Sequence, residues 1–223
     1  MNKVFIWIGI VFIVLILAAL SPALFARKTK APEQQTSAVA RQKDPIWQQY
    51  DTAGLTRPFV PPLSDLAERE VKKPFGIFVT PQNSPIQPER FTGYHTGADF
   101  EIFSEELTAD VPVSAICGGK LLLKKNGTGY GGYAVQSCTL NGQPVTVLYG
   151  HLRLASITPN VGDVLQAGQK FAVLGNDHSS ETDGERKHLH VAIHKGAEIV
   201  PAGYVQTREE LHSWIDPLAE IQE

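Results

Sequence analysis

Residues 132–150, with the sequence GYAVQSCTLNGQPVTVLYG, predict two β-strands joined by a tight turn. Asn141-Gly142 is a dipeptide that two-residue hairpin turns favour, because both central residues of such a turn need a positive φ. The flanking segments, near 132–138 and 144–150, are rich in the aromatic and β-branched residues that favour strands. The middle of the chain is therefore predicted to be β-structure.

Further short β-type runs lie on both sides of this hairpin, from residue 74 onwards. Gly, Asn and Pro separate them, and the spacing leaves no room for helical crossovers, so we expect a mainly antiparallel sheet. We assign residues 74–223 to this mainly β domain, with a short terminal helix that a capping box at Thr207 begins and Pro217 ends. The other predicted strands are near 98–103, 111–116, 119–125, 170–175 and 188–194.

The N-terminal segment predicts a membrane anchor. From Val4 to Leu20 every residue is apolar or glycine, and the apolar character continues to Ala26. About 20 such residues suffice to span a bilayer, and the segment has no polar face of the kind a surface helix carries. We expect residues 1–26 to form a transmembrane helix; cleavage as a signal peptide at residues 21–23 is the alternative.

Two indications of membrane orientation disagree. Three cations lie within residues 27–30, whereas only Lys3 and the amino terminus precede the apolar segment, and this pattern favours a cytoplasmic C-terminus. The chemistry described below favours a single-pass protein of the cell membrane with its domain outside the cytoplasm, and this is the orientation we expect. Between anchor and domain, residues 27–73 are predicted to be a linker and pre-domain segment.

Charge and cysteine content bear on partners and compartment. Beyond residue 30 the chain carries 16 Lys and Arg against 23 Asp and Glu, a net charge of −7, so no basic surface is expected and nucleic acid is excluded as a partner. No pattern predicts an oligomeric state. In an exported domain Cys117 and Cys138 can form a disulfide, since their strands are expected to be neighbours; two unpaired core thiols are the alternative.

Histidines and one aspartate indicate a metal site. Residues two apart on a strand share a face about 7 Å apart, so His188 and His190 can both reach one site. On a straight strand His95 and Asp99 would lie about 13 Å apart, too far to share a metal ion. A bend at Gly97 would bring them together; the alternative is an ordinary turn followed by a solvated aspartate.

His151 follows a strongly apolar run, at the end of a predicted strand. A histidine in this position is either a hydrogen-bonded structural residue or a catalytic side chain on a rigid element that faces a cleft. Three nitrogen or oxygen ligands leave one position of a zinc ion open, as in catalytic rather than structural zinc sites. The residues alone thus indicate a metallohydrolase, in which further histidines act on the attacking water and the developing oxyanion.

The chain resembles the lysostaphin-type (LytM-like) M23 zinc metallopeptidases between about residues 74 and 218. Three motifs carry the resemblance in the family's order: His95-x-x-x-Asp99 and His188-x-His190, which are similar to its two metal motifs, and Tyr149-Gly150-His151-Leu152, which is similar to its Tyr-x-His-Leu element. The resemblance implies an antiparallel β-sheet domain with a substrate groove along one face. It also implies hydrolysis of peptide bonds in peptidoglycan stem peptides or cross-bridges.

The resemblance assigns a role to each of five residues. His95, Asp99 and His190 would bind one Zn²⁺ ion. His151 and His188 would assist the attack of water and stabilise the tetrahedral intermediate. The sequence does not decide which of the two is the base.

One segment departs from the family pattern. Many members have a Gly-x-Ser/Thr-Gly-Pro run before the second histidine motif, and residues 175–187 replace it here. This change leaves the bond cleaved undetermined but removes no expected ligand. Outside the site we expect His178 to be solvated, His194 to lie too far along its strand, and His212 to be on the surface of the terminal helix.

Two other functions compete with the endopeptidase. Some members of the family are catalytically silent binding or activating modules for other wall hydrolases, but all five expected positions are intact here. Zinc D,D-carboxypeptidases also use two histidines and an aspartate, but they place more residues between the first histidine and the aspartate. The sequence therefore favours the endopeptidase.

Overall fold

An antiparallel sheet dominates the computed structural model, which describes residues 59–221. The strands are β1 (Val71–Lys73), β2 (Phe78–Val79), β3 (Gly93–His95), β4 (Gly97–Glu101), β5 (Pro112–Ser114), β6 (Gly119–Gly127), β7 (Gly131–Leu140), β8 (Gln143–Leu152), β9 (Val164–Leu165), β10 (Lys170–Val173), β11 (His188–Lys195), β12 (Tyr204–Val205) and β13 (Trp214–Ile215), and the helices are α1 (Arg208–Leu211) and α2 (Pro217–Glu220). Four 3₁₀ turns, at Leu66–Glu68, Ser104–Glu106, Leu154–Ser156 and Ser180–Thr182, complete these elements. The mainly antiparallel β class predicted from the sequence is confirmed.

The predicted anchor lies outside the described residues. Between residues 59 and 221, no helix is long and apolar enough to cross a bilayer.

The main sheet is ordered β1-β4-β11-β8-β7-β6-β9, and β13 pairs with the end of β11. Every neighbouring pair in it is antiparallel. The β7–β8 hairpin lies near its centre, and its turn residues Asn141 and Gly142 have φ values of 51° and 72°. The predicted tight hairpin is therefore confirmed. Two smaller sheets, β10-β5 and β12-β3-β2, accompany the main one.

Side chains of the central strands alternate between two hydrophobic clusters. On β8, Val145, Val147 and Tyr149 belong to the main core, whereas Leu148 packs in a smaller cluster with Trp214. This alternation follows from the period-2 direction of side chains on a strand, and it buries both faces of β8. The centre of the sheet is thereby a rigid platform for side chains at the strand ends.

A disulfide links Cys117 and Cys138, both of which belong to the main core. Of the two alternatives left by the sequence, the structure thus has the paired one. The link ties the loop before β6 to β7, which strengthens the attachment of two adjacent parts of the sheet.

Residues before position 74 also pack against the sheet. Phe59, Leu63 and Leu66 are buried in the main core, and β1 pairs with β4. The segment assigned to the pre-domain region therefore contributes apolar packing from residue 59 onwards.

The C-terminal helix prediction was correct at its start and wrong at its end. Thr207 caps α1 by accepting a hydrogen bond from the backbone N–H of Glu210, as the capping box predicts. The helix ends at Leu211, however, and Pro217 begins the separate helix α2. Proline is well suited to a first helical position because that residue's N–H has no partner within the helix.

Candidate metal centre

Three buried side chains converge where β3, β4 and β11 meet. The Nε2 atom of His95 lies 3.0 Å from Nδ1 of His190, and the Oδ1 atom of Asp99 lies 3.3 Å from the former and 3.0 Å from the latter. Three ligand atoms, each about 2.0–2.1 Å from one tetrahedral ion, would lie about 3.3 Å apart. Both the donor types and their spacing therefore fit one Zn²⁺ ion with a fourth position open.

Strand register explains why these residues meet. His190 on β11 is directly opposite Asp99 on β4, and only Thr96 separates β4 from β3, which carries His95. The chain changes sheet at this point, because β3 pairs with β2 and β12 rather than with β11. The predicted bend beside Gly97 is thus confirmed.

Electrostatics favour the protonation states that a metal site needs. Burial opposes ionisation of Asp99, but the imidazoles of His188, His95 and His190 outweigh this effect and hold the pKa of the carboxyl well below its usual value. Burial, despite the opposing effect of Asp99, lowers the pKa of His190 to about 4. Near neutral pH the site therefore combines a carboxylate with a neutral imidazole, both of which are competent ligands.

His151 and His188 form a pair beside the three potential ligands. Their ring centroids are 4.2 Å apart, and the Nε2 atom of His188 lies 3.3 Å from Oδ2 of Asp99. The Nδ1 atoms of both rings lie near backbone carbonyls, 2.8 Å from Arg186 O for His188 and 3.3 Å from Thr182 O for His151. Donation from Nδ1 to these carbonyls leaves Nε2 of His151 free to accept a proton, whereas Nε2 of His188 faces Oδ2 of Asp99.

The environment of His151 suits a proton acceptor. Burial, and next the nearby His188, hold the pKa of His151 well below its usual value, so the ring is neutral near pH 7. Its backbone has a φ of 62°, which is uncommon for a residue other than glycine, and its N–H donates to the carbonyl of Tyr130. The end of β8 thus holds this imidazole in a fixed place.

The five residues predicted for the site all line one cleft. The remaining histidines of the described chain lie elsewhere, as predicted: His178 is exposed, His194 packs against the Trp214 ring, and His212 is exposed next to Glu209. The individual roles of the five remain predictions.

Residues that sequence reasoning did not single out complete the cleft. Tyr204 lies with its ring centroid 5.3 Å from that of His95. The Nζ atom of Lys73 donates to the Tyr204 hydroxyl at 3.2 Å and forms a buried ion pair with Glu89 at 2.6 Å. Their sequence neighbourhoods carry no motif, and only the tertiary fold brings β1, β12 and the loop before β3 together.

Glycine at position 97 is required by the close approach of β4 to β11. A Cβ atom there would overlap the carbonyl oxygen of Val191 and lie 2.8 Å from Cε1 of His190. We expect Gly97→Ala to lower the free energy of unfolding by on the order of 3 kcal/mol and to weaken zinc binding. Denaturant titration and zinc competition measurements check both effects.

The matched control for this substitution is Gly118→Ala. The nearest atom to a Cβ at position 118 is 4.0 Å away, so the same change of residue type meets no obstacle. Equal effects at the two positions would contradict the packing explanation.

Metal-free protein should lose stability as the pH falls from about 6.5 towards 4. Unfolded histidine binds a proton near pH 6.5, whereas folded His190 binds one only near pH 4, so the unfolded state carries more protons in this window and stability rises with pH. His190 alone would contribute about 3 kcal/mol of lost stability by pH 4. Burial of His151 acts in the same direction.

Urea titrations of chelator-treated protein at several pH values measure this loss. A variant with His178→Gln, which removes an exposed histidine, should show the same pH dependence as the wild-type protein. Stability that stays constant from pH 7 to pH 4 would contradict the expectation.

Comparison with known proteins gives one family match. The sequence model of peptidase family M23 matches residues 93–201, a range that includes all five residues of the cleft described above. No sequence among curated proteins matches the chain.

Several solved structures are similar to the chain. A zinc-containing peptidase from Vibrio cholerae is 23% identical over 62% of this chain and 37% of its own, with a TM-score of 0.45. LytU is 23% identical over 67% of this chain and 81% of its own, with a TM-score of 0.46. A chain of the SpoIIQ–SpoIIIAH pore-forming complex is 17% identical over 75% of this chain and 93% of its own, with a TM-score of 0.50. The chain therefore spans little more than a third of the Vibrio cholerae peptidase. At these identities the likeness concerns the fold.

Proposed function

Residues 93–201 form a peptidase family M23 domain, and from this we propose that the protein is a zinc-dependent endopeptidase of peptidoglycan. Its substrates would be peptide bonds in the stem peptides or cross-bridges of the cell wall. The observation that carries the proposal is the convergence of His95, Asp99 and His190, with ligand atoms 3.0–3.3 Å apart, beside a second pair of histidines. This arrangement offers three potential metal ligands and, beside them, groups able to transfer protons.

We assign a different role in hydrolysis to each group of residues in the site. Zinc held by His95, Asp99 and His190 would supply a Lewis acid that polarises the scissile carbonyl and makes water more acidic. His151, which is neutral near pH 7, would accept a proton from the attacking water and pass it to the leaving amine. His188, whose ring centroid lies 4.2 Å from that of His151, would help to stabilise the oxyanion of the tetrahedral intermediate.

We propose that the domain acts outside the cytoplasm while residues 1–26 hold the protein at the cell membrane. Peptidoglycan lies on that side, and the apolar run from Val4 to Leu20 is long enough to span a bilayer. The disulfide between Cys117 and Cys138 supports the same location, because disulfides persist in oxidising compartments and are rare in the cytosol. Protease protection in intact cells, with the disulfide state as a second readout, tests this placement.

Digestion of purified peptidoglycans tests the proposed activity. The full-length protein in detergent is incubated with walls of several cross-link types, and the released fragments are identified by mass spectrometry. We expect internal peptide cleavage by the wild-type protein and none by His95→Ala. Release of terminal D-alanine alone would indicate a carboxypeptidase, and no release by folded, zinc-loaded protein would indicate a binding module.

A further inference from the structure

We propose that Arg186 is a positioning residue for Asp99, which it holds so that only one carboxylate oxygen faces the metal. The inference rests on the proposed function only in requiring that His95, Asp99 and His190 bind a metal ion. It concerns the segment where the chain departs from its family. Arg186 and Lys187 immediately precede His188, where many members have Gly-Pro.

The contacts of Asp99 divide its two oxygens between different partners. Oδ1 lies near His95 and His190, the two potential metal ligands. Oδ2 lies 3.2 Å from Nη2 of Arg186 and 3.3 Å from Nε2 of His188. Oδ2, which faces away from the two imidazole ligands, is therefore paired with a guanidinium. A guanidinium remains charged at all relevant pH values.

Arg186 is itself held in place by a second carboxylate. Its Nε donates to both oxygens of Glu101, at 2.9 and 3.1 Å, and its Nη2 also donates to Oε1 of the same residue. Both side chains are largely buried, with 13% and 9% of their surface exposed. A planar guanidinium in such a fork has little freedom, so its position relative to Asp99 is defined.

Lys187 fixes the backbone that carries Arg186. The side chain is buried, and its ammonium donates to the carbonyls of Glu106, Leu107 and Ala109. The backbone N–H of Lys187 also donates to Oδ1 of Asp177 at 2.8 Å. Lys187 thus attaches the segment to the loop that contains Glu106 and Ala109, while Arg186 extends from the same segment to Asp99.

Occupation of Oδ2 has a consequence for coordination. A carboxylate with both oxygens free can bind a metal through two atoms and fill the open position that a reaction needs. With Oδ2 engaged, Asp99 offers Oδ1 alone, and one position remains for water or substrate. Outer partners of this kind typically change metal affinity by about 10–100-fold when they are removed.

Cobalt substitution tests this inference without relying on peptidase activity. Tetrahedral Co²⁺ absorbs visible light more strongly than five- or six-coordinate Co²⁺. Full-length protein is stripped of metal, loaded with Co²⁺, and compared with Arg186→Lys, which keeps the charge but loses the planar fork. We expect weaker visible bands and about 10–100-fold weaker metal binding in this variant.

Two further variants make the result unambiguous. Arg186→Ala removes the guanidinium from Oδ2 altogether and should weaken the bands at least as much as Arg186→Lys. Arg90→Ala removes an arginine that pairs with Asp183 and Glu185 and lies over the Phe91 ring, without contacting Asp99, and it should leave the spectrum unchanged. An unaltered spectrum in Arg186→Lys, or wild-type protein that takes up no cobalt, would overturn the inference. A normal cobalt spectrum in a protein that cleaves no peptide would instead contradict only the proposed activity.

Discussion

His190→Ala should abolish both zinc retention and peptidoglycan hydrolysis. The Nδ1 atom of His190 lies 3.0 Å from Nε2 of His95 and 3.0 Å from Oδ1 of Asp99, so this residue is next to both other potential ligands. Its loss would leave two ligands, too few for a catalytic zinc site. Because a bound metal supplies several kcal/mol of transition-state stabilisation, kcat/KM should fall by at least about 10³-fold.

The test for His190 combines the zinc content of dialysed protein with the rate of fragment release. His194→Ala is the matched control, because His194 lies on the same strand and faces Trp214 rather than the cleft. It should retain zinc and activity. Zinc bound in full by His190→Ala, or loss of zinc from both variants, would contradict the assigned ligand set.

His151→Asn should lower kcat by about 10²–10⁴-fold while zinc remains bound. Its imidazole is neutral because burial lowers its pKa, and its loss removes the proposed proton acceptor without removing a ligand. Asparagine is the appropriate replacement, since it tolerates the positive φ of 62° better than most residues. Single-turnover hydrolysis of a soluble cross-linked muropeptide, with zinc content measured on the same samples, separates chemistry from metal loss.

The control for His151 is His178→Asn. His178 also has a positive φ, of 46°, but it is exposed and outside the cleft. We expect wild-type activity from this variant. Wild-type activity from His151→Asn would contradict its role as base and would leave His188 as the residue to test.

Elements with strong local signals were predictable from the sequence. Asn141-Gly142 and the strand-favouring residues on both sides of it predicted the central hairpin, and the two-residue spacing of His188 and His190 placed both on one face of β11. The glycine at position 97 predicted the bend that lets His95 and Asp99 approach each other. These features depend on backbone geometry within a few residues, which the sequence expresses directly.

Features that depend on distant parts of the chain were not predictable. Arg186 reaches Asp99 and Glu101 only because β4 and β11 are neighbours in register. Likewise, no local pattern shows that Lys73 meets Glu89 under the cleft. Pro217 was misread for a different reason, since proline both ends and begins helices, and only the intervening strand β13 decides between the two.

Chelation and zinc restoration during peptidoglycan digestion test the central claim most directly. The wild-type protein is assayed as prepared, after removal of metal, and after addition of one equivalent of Zn²⁺, with peptide fragments quantified by mass spectrometry. The account predicts internal peptide cleavage that disappears with the metal and returns with zinc. Cleavage that persists without metal, or no cleavage by folded protein that has bound zinc, would contradict it.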